Sequence, residues 1–483
     1  MKLNKIAIAI ALVFPLVSNA QTSAQLQSEI EALKAQVKEL QELIKGKAAT
    51  AAEEQPVVEL EEFNRIKTKV EAAEDVSNVN GMKGLRISGG LDTVYIWNQA
   101  KNTSSFVFGN NYAPSYSYGS SSGEMFSYDN SYFGMAYLDI QKEMEGGTKL
   151  RLTLAPTKSN ASAYNMASII NEASASIPLT DSSTRLMIGQ MPDVSGYEPI
   201  LNTYTGTNSI SSNQLYPASP EYFVTKNLLS DFTAATMYTG VGLDLVRGPW
   251  ETKLFLANFN APRNDITANT STDGGMNSPA FIFNSAYTQE EFWGFEFTGY
   301  LAKVANPVVL GTYSQLAQFE IDGNYTRGDF NGNLQLTTGQ FQNAAFGGGD
   351  AEWYGFSALA SERLTPQFTL AGRLDFLYDQ ANGGGVLGLG NTGVGATYTG
   401  AGTLGDFVNG FGPGDPNASD YDPKTGSNRT ALTVAGTYRI NPNVSLRSEL
   451  RRDYATRASF YNYNVGSFQN SNTTLALQAV VNF

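Results

Sequence analysis

The stretch LTVAGTYRINPNVSLRSEL, residues 432–450, alternates apolar and polar side chains on both sides of an Asn-Pro-Asn turn. A period of two is typical of a β-strand with one apolar face. Asn and Pro are typical turn residues, so the stretch predicts an antiparallel hairpin. Its apolar face carries Leu432, Val434, Tyr438, Ile440, Leu446 and Leu450, and its polar face carries Thr433, Thr437, Arg439, Arg447 and Glu449.

The same alternation runs from residue 85 to the last residue shown, and the connections between its segments alternate in length. The final segment, NTTLALQAVVNF (472–483), places Leu475, Leu477, Val481 and Phe483 on one face. Seven short turns fall at 144–148, 180–183, 247–249, 288–291, 326–329, 363–366 and 441–443. Eight long polar connections fall at 99–131, 157–166, 191–234, 260–278, 303–312, 341–351, 380–428 and 455–471. Together they divide the segment into sixteen strands.

The regular alternation of long and short connections favours a transmembrane barrel over a soluble all-β fold. In such a barrel the two lengths sort to the two membrane sides, and an even strand number is expected. The charged residues of the predicted strands lie on the polar face. This placement is expected of a membrane barrel, because a lipid-facing Lys or Arg at the middle of the bilayer costs about 2–4 kcal/mol. No repeat of fixed period indicates a propeller or solenoid. The predicted fold is therefore all-β, a 16-stranded antiparallel transmembrane β-barrel preceded by a short α-helical coiled coil.

Composition narrows the function classes. The chain has 483 residues, a net charge of −13, no cysteine and no histidine. It therefore lacks the commonest general base and all thiol chemistry, and we expect neither an enzyme nor a cofactor. An acidic chain does not present the basic face that nucleic-acid binding requires.

The N-terminal region divides into three parts before the barrel, which is predicted to span 84–483. Residues 1–20 resemble a signal peptide, with Lys2 and Lys5 before an apolar run and small residues at the cleavage site. Residues 21–46 predict a periplasmic coiled coil, and 47–83 a linker with a possible short helix. An amphipathic helix packed on its own domain is the alternative to the coil. The coil seam consists of Leu26, Ile30, Leu33, Val37, Leu40 and Ile44.

The polar faces of the strands and one long connection are the candidate functional elements. An even number of strands returns both chain ends to the periplasmic side, so the connection 191–234 starts on the outer side. We expect it to fold inward as a constriction; an ordinary outer loop and a trimer latch are alternatives. Charges inside a lumen set selectivity, although these charges could also pair and fill it, and anion or cation preference stays open. The candidate pore-lining residues are Arg151, Arg185, Glu320, Asp322, Arg373, Asp375, Arg439, Arg447, Glu449 and Arg451.

Five stretches carry a resemblance to a known family: GLRISGGLDTVYIWN, YDNSYFGMAYLDIQKEMEGGTKLRLTLAP, NEASASIPLTDSSTRLMIGQMPDVSGYE, DAEWYGFSALASERLTPQFTLAGRLDF and RSELRRDYA. They resemble an uncharacterised family of porin-like outer-membrane proteins of Gram-negative bacteria that carry a signal peptide and a coiled coil. The general architecture is similar to that of trimeric porins, which implies a homotrimer although the seam alone favours a dimer. The resemblance also implies that the barrel-assembly machinery reads the terminal Phe483.

The sequence thus predicts an outer-membrane porin that lets small polar or charged solutes diffuse passively through a water-filled lumen. Its predicted partners are outer-membrane lipid, copies of itself, the barrel-assembly machinery and those solutes. The alternative function is a structural or adhesive barrel plugged by its long connections and tethered in the periplasm by its coil.

Overall fold

The computed structural model describes residues 83–483, with gaps at 101–102, 108–135, 156, 159–163, 166–168, 199–221, 235–236, 261–275, 290–291, 307–308, 310–311, 346, 382–413, 416, 423 and 463–464. The predicted signal peptide, the coil seam and nearly all of the linker lie outside the described residues. Within these ranges no helix has the length and apolar content needed to cross a bilayer.

Twenty-one strands and one short helix, α1 (Leu228–Phe232), make up the described chain. The strands are β1 (Leu85–Asn98), β2 (Thr103–Val107), β3 (Ala136–Glu143), β4 (Lys149–Leu154), β5 (Thr157–Lys158), β6 (Tyr164–Asn165), β7 (Ile170–Pro178), β8 (Thr184–Pro192), β9 (Met237–Arg247), β10 (Trp250–Asn260), β11 (Met276–Gln289), β12 (Trp293–Ala305), β13 (Tyr313–Arg327), β14 (Phe330–Phe341), β15 (Ala351–Arg363), β16 (Phe368–Tyr378), β17 (Arg429–Asn441), β18 (Val444–Ala455), β19 (Phe460–Asn462), β20 (Ser467–Gln469) and β21 (Ser471–Asn482).

Sixteen of these strands form one closed antiparallel ring. Each pairs with the next barrel strand along the chain, and β21 pairs with β1, where Asp92 lies opposite Val480. The five remaining strands belong to the long connections: β2 pairs with the second half of β1, while β5–β6 and β19–β20 are separate small hairpins. The predicted 16-stranded barrel is therefore confirmed, and all seven short turns lie where the sequence places them.

The two faces of the barrel wall differ as the alternation predicts. On β17 and β18 the outward Leu432 and Leu450 are 55% and 54% exposed, whereas the inward Thr433 and Arg451 are fully buried. β21 follows the same rule, with Leu475 and Leu477 outside and Thr474 and Gln478 inside. The outer surface is thus mostly apolar and the inner surface is largely polar.

Aromatic side chains concentrate at both rims of the outer surface. Near the short turns, Trp250 packs against Tyr287 and Phe295, with ring centroids 4.9 and 5.7 Å apart. Near the long connections, Tyr354 stacks on Tyr378 at 4.5 Å. Aromatic belts of this kind are typical of the two interfaces of a membrane.

The closing seam of the barrel requires a glycine beside the last residue. Phe483 N donates to Gly89 O at 2.9 Å, and Gly89 N donates to Phe483 O at 3.2 Å. A Cβ on Gly89 would lie 2.8 Å from the backbone oxygen of Tyr137 on β3 and 2.8 Å from the Phe483 ring, closer than packing allows. The Phe483 side chain itself is 70% exposed and lies at the short-turn rim.

Candidate functional site

Two pieces of the connection between β8 and β9 lie inside the barrel. We call 193–198 and 222–234 together the lumen segment. Tyr197 Oη and Ser357 Oγ on β15 share a hydrogen bond of 2.6 Å. Tyr300 on β12 donates to Thr233 O at 2.9 Å. Because Ser357 and Tyr300 are inward-facing residues of different strands, the lumen segment contacts several parts of the inner wall.

The helix α1 within the lumen segment is held by packing. A helix of five residues is unstable alone. Asn227 caps it by accepting a 2.7 Å hydrogen bond from Ser230 N. Leu228, Leu229 and Phe232 are completely buried in an apolar cluster inside the barrel. The largest inward-facing members of that cluster are Met187, Met191, Tyr238, Phe255, Ile282, Tyr300, Leu316, Phe341, Trp353 and Leu377.

The alternation of polar and apolar residues does not predict this inner apolar cluster. The signal was present in the segments LFLANF (254–259) and AFIF (280–283), which are apolar at both parities. In these segments the inward-facing Phe255 and Ile282 are buried inside the barrel, while the outward-facing Leu256 and Phe281 are exposed on its outer surface. The lumen beside β10 and β11 is therefore lined by apolar side chains, in contrast to the predicted polar lining.

Arg373 on β16 fixes the lumen segment to the wall. Its guanidinium is fully buried and donates from all three nitrogens. Nη1 reaches Glu198 Oε1 at 2.6 Å and Thr225 O at 2.9 Å; Nη2 reaches Lys226 O at 3.0 Å. Nε reaches Asp375 Oδ2 at 3.1 Å. A single arginine thus joins both pieces of the lumen segment to the barrel.

Two residues of β18 hold the same turn of the lumen segment. Glu449 accepts from Val224 N at 2.6 Å, from Thr225 N at 3.0 Å and from Thr225 Oγ1 at 2.5 Å. Arg451 Nη1 donates to Thr225 Oγ1 and Lys226 O, both at 2.9 Å. Hydrogen bonds to charged groups are worth about 1.5–3 kcal/mol each. The turn at 224–226 is therefore the most strongly anchored part of the lumen segment.

The inward charges of β16–β18, which we call the arginine wall, alternate in sign along the strands. The register on β17 places Arg373 and Arg451 opposite Thr433, and Asp375 and Asp453 opposite Ala431. From the long-connection rim to the short-turn rim the order is Arg429, then Asp375 with Asp453, then Arg373 with Arg451, then Glu449, Arg447 and Arg439. Each buried arginine therefore has carboxylates one step above or below it.

A second set of predicted residues pairs on β3, β4 and β7. Arg151 Nε lies 2.8 Å from Asp139 Oδ1 and 3.4 Å from Glu172 Oε2. Arg185 on β8 donates to Ser176 Oγ at 2.6 Å, to Ser176 O and to Gly147 O. These arginines face inward as predicted, and the contacts given above connect neighbouring strands of the barrel.

Glu296 on β12 with Glu320 and Asp322 on β13 forms what we call the acidic wall. The register places Glu296 opposite Asp322. Glu320 Oε2 accepts from Thr337 Oγ1 at 2.7 Å. Lys253 on β10 acts electrostatically on Glu296, but its Nζ is ion-paired with Glu251 Oε1 at 3.1 Å. Among the described residues, no Lys or Arg forms an ion pair with Glu296, Glu320 or Asp322.

Asp193 starts the lumen segment next to the acidic wall. Its carboxylate accepts from Ser195 N at 3.1 Å, and also from Ser195 Oγ and from the Tyr238 hydroxyl. Burial raises the pKa of the Asp193 carboxyl from 3.8 to about 7 in spite of these donors. Asp193 therefore titrates near neutral pH in the folded barrel.

The predicted site residues thus occupy three places. The arginine wall contains Arg373, Asp375, Arg447, Glu449 and Arg451. The acidic wall contains Glu320 and Asp322. The contacts between neighbouring strands on the other side of the barrel sequence involve Arg151 and Arg185. Arg439 faces inward by register, but it is exposed at the short-turn rim. No group of three or more Asp and Glu among the described residues is arranged to hold a metal ion.

A family model described as "Protein of unknown function (DUF3138)" matches residues 45–295 and 284–483. The chain belongs to this family. No curated protein matches it.

Several solved structures are similar to this chain. The anion-selective porin from Comamonas acidovorans is 12% identical, with a TM-score of 0.49 over 83% of this chain and 99% of that chain. The outer membrane channel DcaP of Acinetobacter baumannii is 11% identical, with a TM-score of 0.46 over 83% and 97%. The trimer form of in-vitro folded OmpT, an outer membrane protein of Vibrio cholerae, is 9% identical, with a TM-score of 0.46 over 83% and 99%.

Proposed function

We propose that this member of the DUF3138 family is an outer-membrane porin through which small polar or charged solutes diffuse passively. The observation that carries the proposal is the closed ring of sixteen strands with an apolar outer face and a largely polar inner face. A closed barrel leaves no backbone edge in lipid, and its outer face suits hydrocarbon. The proposal includes no chemical step, since a pore acts by its shape and charge.

The proposed orientation follows from the two rims. The short turns face the periplasm and the long connections face outward, the usual arrangement in bacterial barrels. The N-terminal segment is then periplasmic, delivered there by the signal peptide at 1–20. We further propose a homotrimer, assisted by the coil at 21–46, and insertion by the barrel-assembly machinery through the strand ending at Phe483.

The lumen segment is the proposed constriction of the pore. It reaches from β8 across to β16 and β18 and carries Glu198, Thr225 and Lys226 into the lumen. Solutes would pass the remaining opening between the arginine wall and the acidic wall. Opposite charges on facing walls orient dipolar solutes and discriminate by charge.

A plugged structural or adhesive barrel is the second candidate function. The complete burial of Leu228, Leu229 and Phe232 inside the barrel favours it, because a helix that only lined an open pore would expose one side. The two functions differ in whether ions cross the folded barrel.

Conductance in a planar bilayer tests the proposal. The full mature chain, purified and folded, should produce discrete ion-current steps, and a salt gradient should give a reversal potential that reports charge preference. A barrel that inserts, resists unfolding and carries no current would contradict the porin and support the plugged barrel.

A further inference from the structure

The inner surface beside the acidic wall contains several buried polar atoms without a hydrogen bond. In the described part of the chain these include Glu320 Oε1, Gln318 Nε2, Gln335 Nε2 and Ser230 Oγ. Glu320 and Asp322 are 2% and 6% exposed, and Gln335 is fully buried. Buried polar groups are nearly always satisfied, so such a concentration marks a place where something else binds.

Two of these atoms lie close to Gly196 in the lumen segment. A Cβ built on Gly196 would lie 3.1 Å from Gln335 Nε2 and 3.4 Å from Ser230 Oγ. The backbone N–H of Gly196 donates a hydrogen bond to the Asp322 carboxylate, which also shares one with the Glu320 side chain. Gln335 is opposite Asp322 in the β13–β14 register. The unpaired donors and acceptors of three elements therefore share one location.

The side-chain oxygen of each glutamine is held by a hydrogen bond, which fixes the orientation of the amide. Gln335 Oε1 accepts from Asn227 Nδ2, and Gln318 Oε1 accepts from Trp353 Nε1, both at 3.0 Å. Each amide nitrogen therefore points away from its bound oxygen and presents N–H groups that need an acceptor. The location thus contains two kinds of group that the described residues leave unsatisfied: carboxylates that have no cationic partner, and amide N–H groups that have no hydrogen-bond acceptor.

We propose that Glu296, Glu320 and Asp322, with Gln318, Gln335 and Ser230, form a binding site for a hydrated monovalent cation. The cation compensates three carboxylates that no described Lys or Arg pairs with, and its water oxygens accept from the glutamine amides. A proton alone would neutralise a carboxylate but would leave the amides without acceptors. A dehydrated divalent metal requires several convergent oxygens, and the described carboxylates are not arranged in that way.

Trp353 provides a reporter for this site. It is 1% exposed and bonded to Gln318, while the other three tryptophans, Trp97, Trp250 and Trp293, lie on the outward parity of their strands. Caesium chloride would be titrated into the full folded chain in detergent at constant ionic strength, balanced with choline chloride, while tryptophan emission is recorded. We expect a saturable change in emission that is lost in Trp353→Phe.

Variants assign the signal to the site. Asp322→Asn and Glu320→Gln should each raise the dissociation constant for Cs⁺ about tenfold or more, because a buried charge partner is removed. Asp422→Asn, the same charge change in an exposed turn, should titrate like the natural chain. Resistance of the folded barrel to heat on a gel confirms that each variant is folded; the two acidic-wall variants should fold well, since they remove uncompensated charge.

Three outcomes would overturn the site: emission that never saturates with Cs⁺, equal affinities in all variants, or emission that follows pH and ignores Cs⁺, which would assign the pocket to protons. The site rests on the proposed porin only for solute access to the lumen. Conductance of the same preparation separates the two: current without Cs⁺ binding rejects the site and keeps the porin, and binding without current does the reverse.

Discussion

The arginine wall and the acidic wall lie on the same inner surface but differ in how their charges are balanced. Arg373 and Arg451 are fully buried, and carboxylates and backbone carbonyls of the lumen segment satisfy them. Glu320 and Asp322 are almost as deeply buried, but no Lys or Arg among the described residues forms an ion pair with them. The arginine wall therefore stabilises the lumen segment. The acidic wall destabilises the folded barrel by repulsion between its carboxylates, and a bound cation or proton reduces that repulsion.

This difference indicates that the two walls have different roles in the stability of the barrel. Breaking one partner of a buried, satisfied pair leaves the other charge uncompensated and is strongly destabilising. Removing one charge from a cluster of like charges reduces repulsion and should increase the free energy of unfolding. Substitutions in the two walls should therefore change stability with opposite signs.

The largest effect is expected at Arg373. Arg373→Met leaves Asp375 and Glu198 uncompensated and frees the carbonyls of Thr225 and Lys226, so the barrel should lose about 3–5 kcal/mol. Urea unfolding in detergent measures the loss, and single-channel conductance should rise as the lumen segment is released. Arg439→Met, at the exposed rim, is the matched control and should change stability by less than about 0.5 kcal/mol. Equal losses in both variants would contradict the anchoring role.

A smaller loss is expected at Glu449. Glu449→Gln weakens three charge-assisted hydrogen bonds to Val224 and Thr225 and should cost about 1.5–3 kcal/mol in the free energy of unfolding. Glu352→Gln makes the same change on an exposed side chain of β15 and should be nearly neutral. If the double variant with Thr225→Val loses the full sum of the two single losses, Glu449 does not act through Thr225.

The change in stability per pH unit expected from Asp193 is smaller than either of these losses. Its folded pKa of about 7 lies above the ordinary 3.8, so the folded state binds more protons than the unfolded state between those values. Stability from this group is therefore greatest below about pH 4, falls by up to about 1.4 kcal/mol per unit as pH rises toward 7, and is constant above. Unfolding at several pH values measures the slope. Asp193→Asn should flatten it, and an unchanged slope would assign the titration to another group.

The smallest effect is expected at Arg447, which donates to Gln478 at 2.9 Å and lies nearer the short-turn rim than the lumen segment. Arg447→Gln removes one inward positive charge without releasing the lumen segment. The reversal potential in a salt gradient should shift by a few millivolts toward cation preference. Arg439→Gln, the same change in an exposed position, should shift it less. A shift toward anions would show that Arg447 does not face the conducting path.

The strands and turns were predictable from the sequence because their signals are local. The period of two in 432–440 and 444–450, and the Asn-Pro-Asn turn between them, are visible within twenty residues. Inward parity of Arg151, Arg373 and Glu449 followed from the same pattern. These elements repeat along the chain, so the strand count followed as well.

The partners inside the lumen were not predictable, because they depend on register and on contacts between distant parts of the chain. Nothing near Arg373 in the sequence indicates that Glu198 binds it, and nothing near Arg185 indicates that it donates to Ser176. The inner apolar cluster around Phe232 was missed for a different reason. The segments of β10 and β11 that contribute to it are apolar on both faces, whereas the alternation pattern identifies strands that have one polar face.

The closing seam has a consequence for how the barrel forms. Every other pair of barrel strands joins neighbours along the chain, so those pairings can form as successive hairpins with modest loop-closure entropy. Only β1 and β21 bring the two ends of the barrel sequence together. Pairings between residues far apart in sequence are slow to form. A bulky residue at Gly89, where the Tyr137 backbone oxygen and the Phe483 ring leave no room, should therefore delay the last step of folding. Partly closed barrels would accumulate, each with one open strand edge available to another chain.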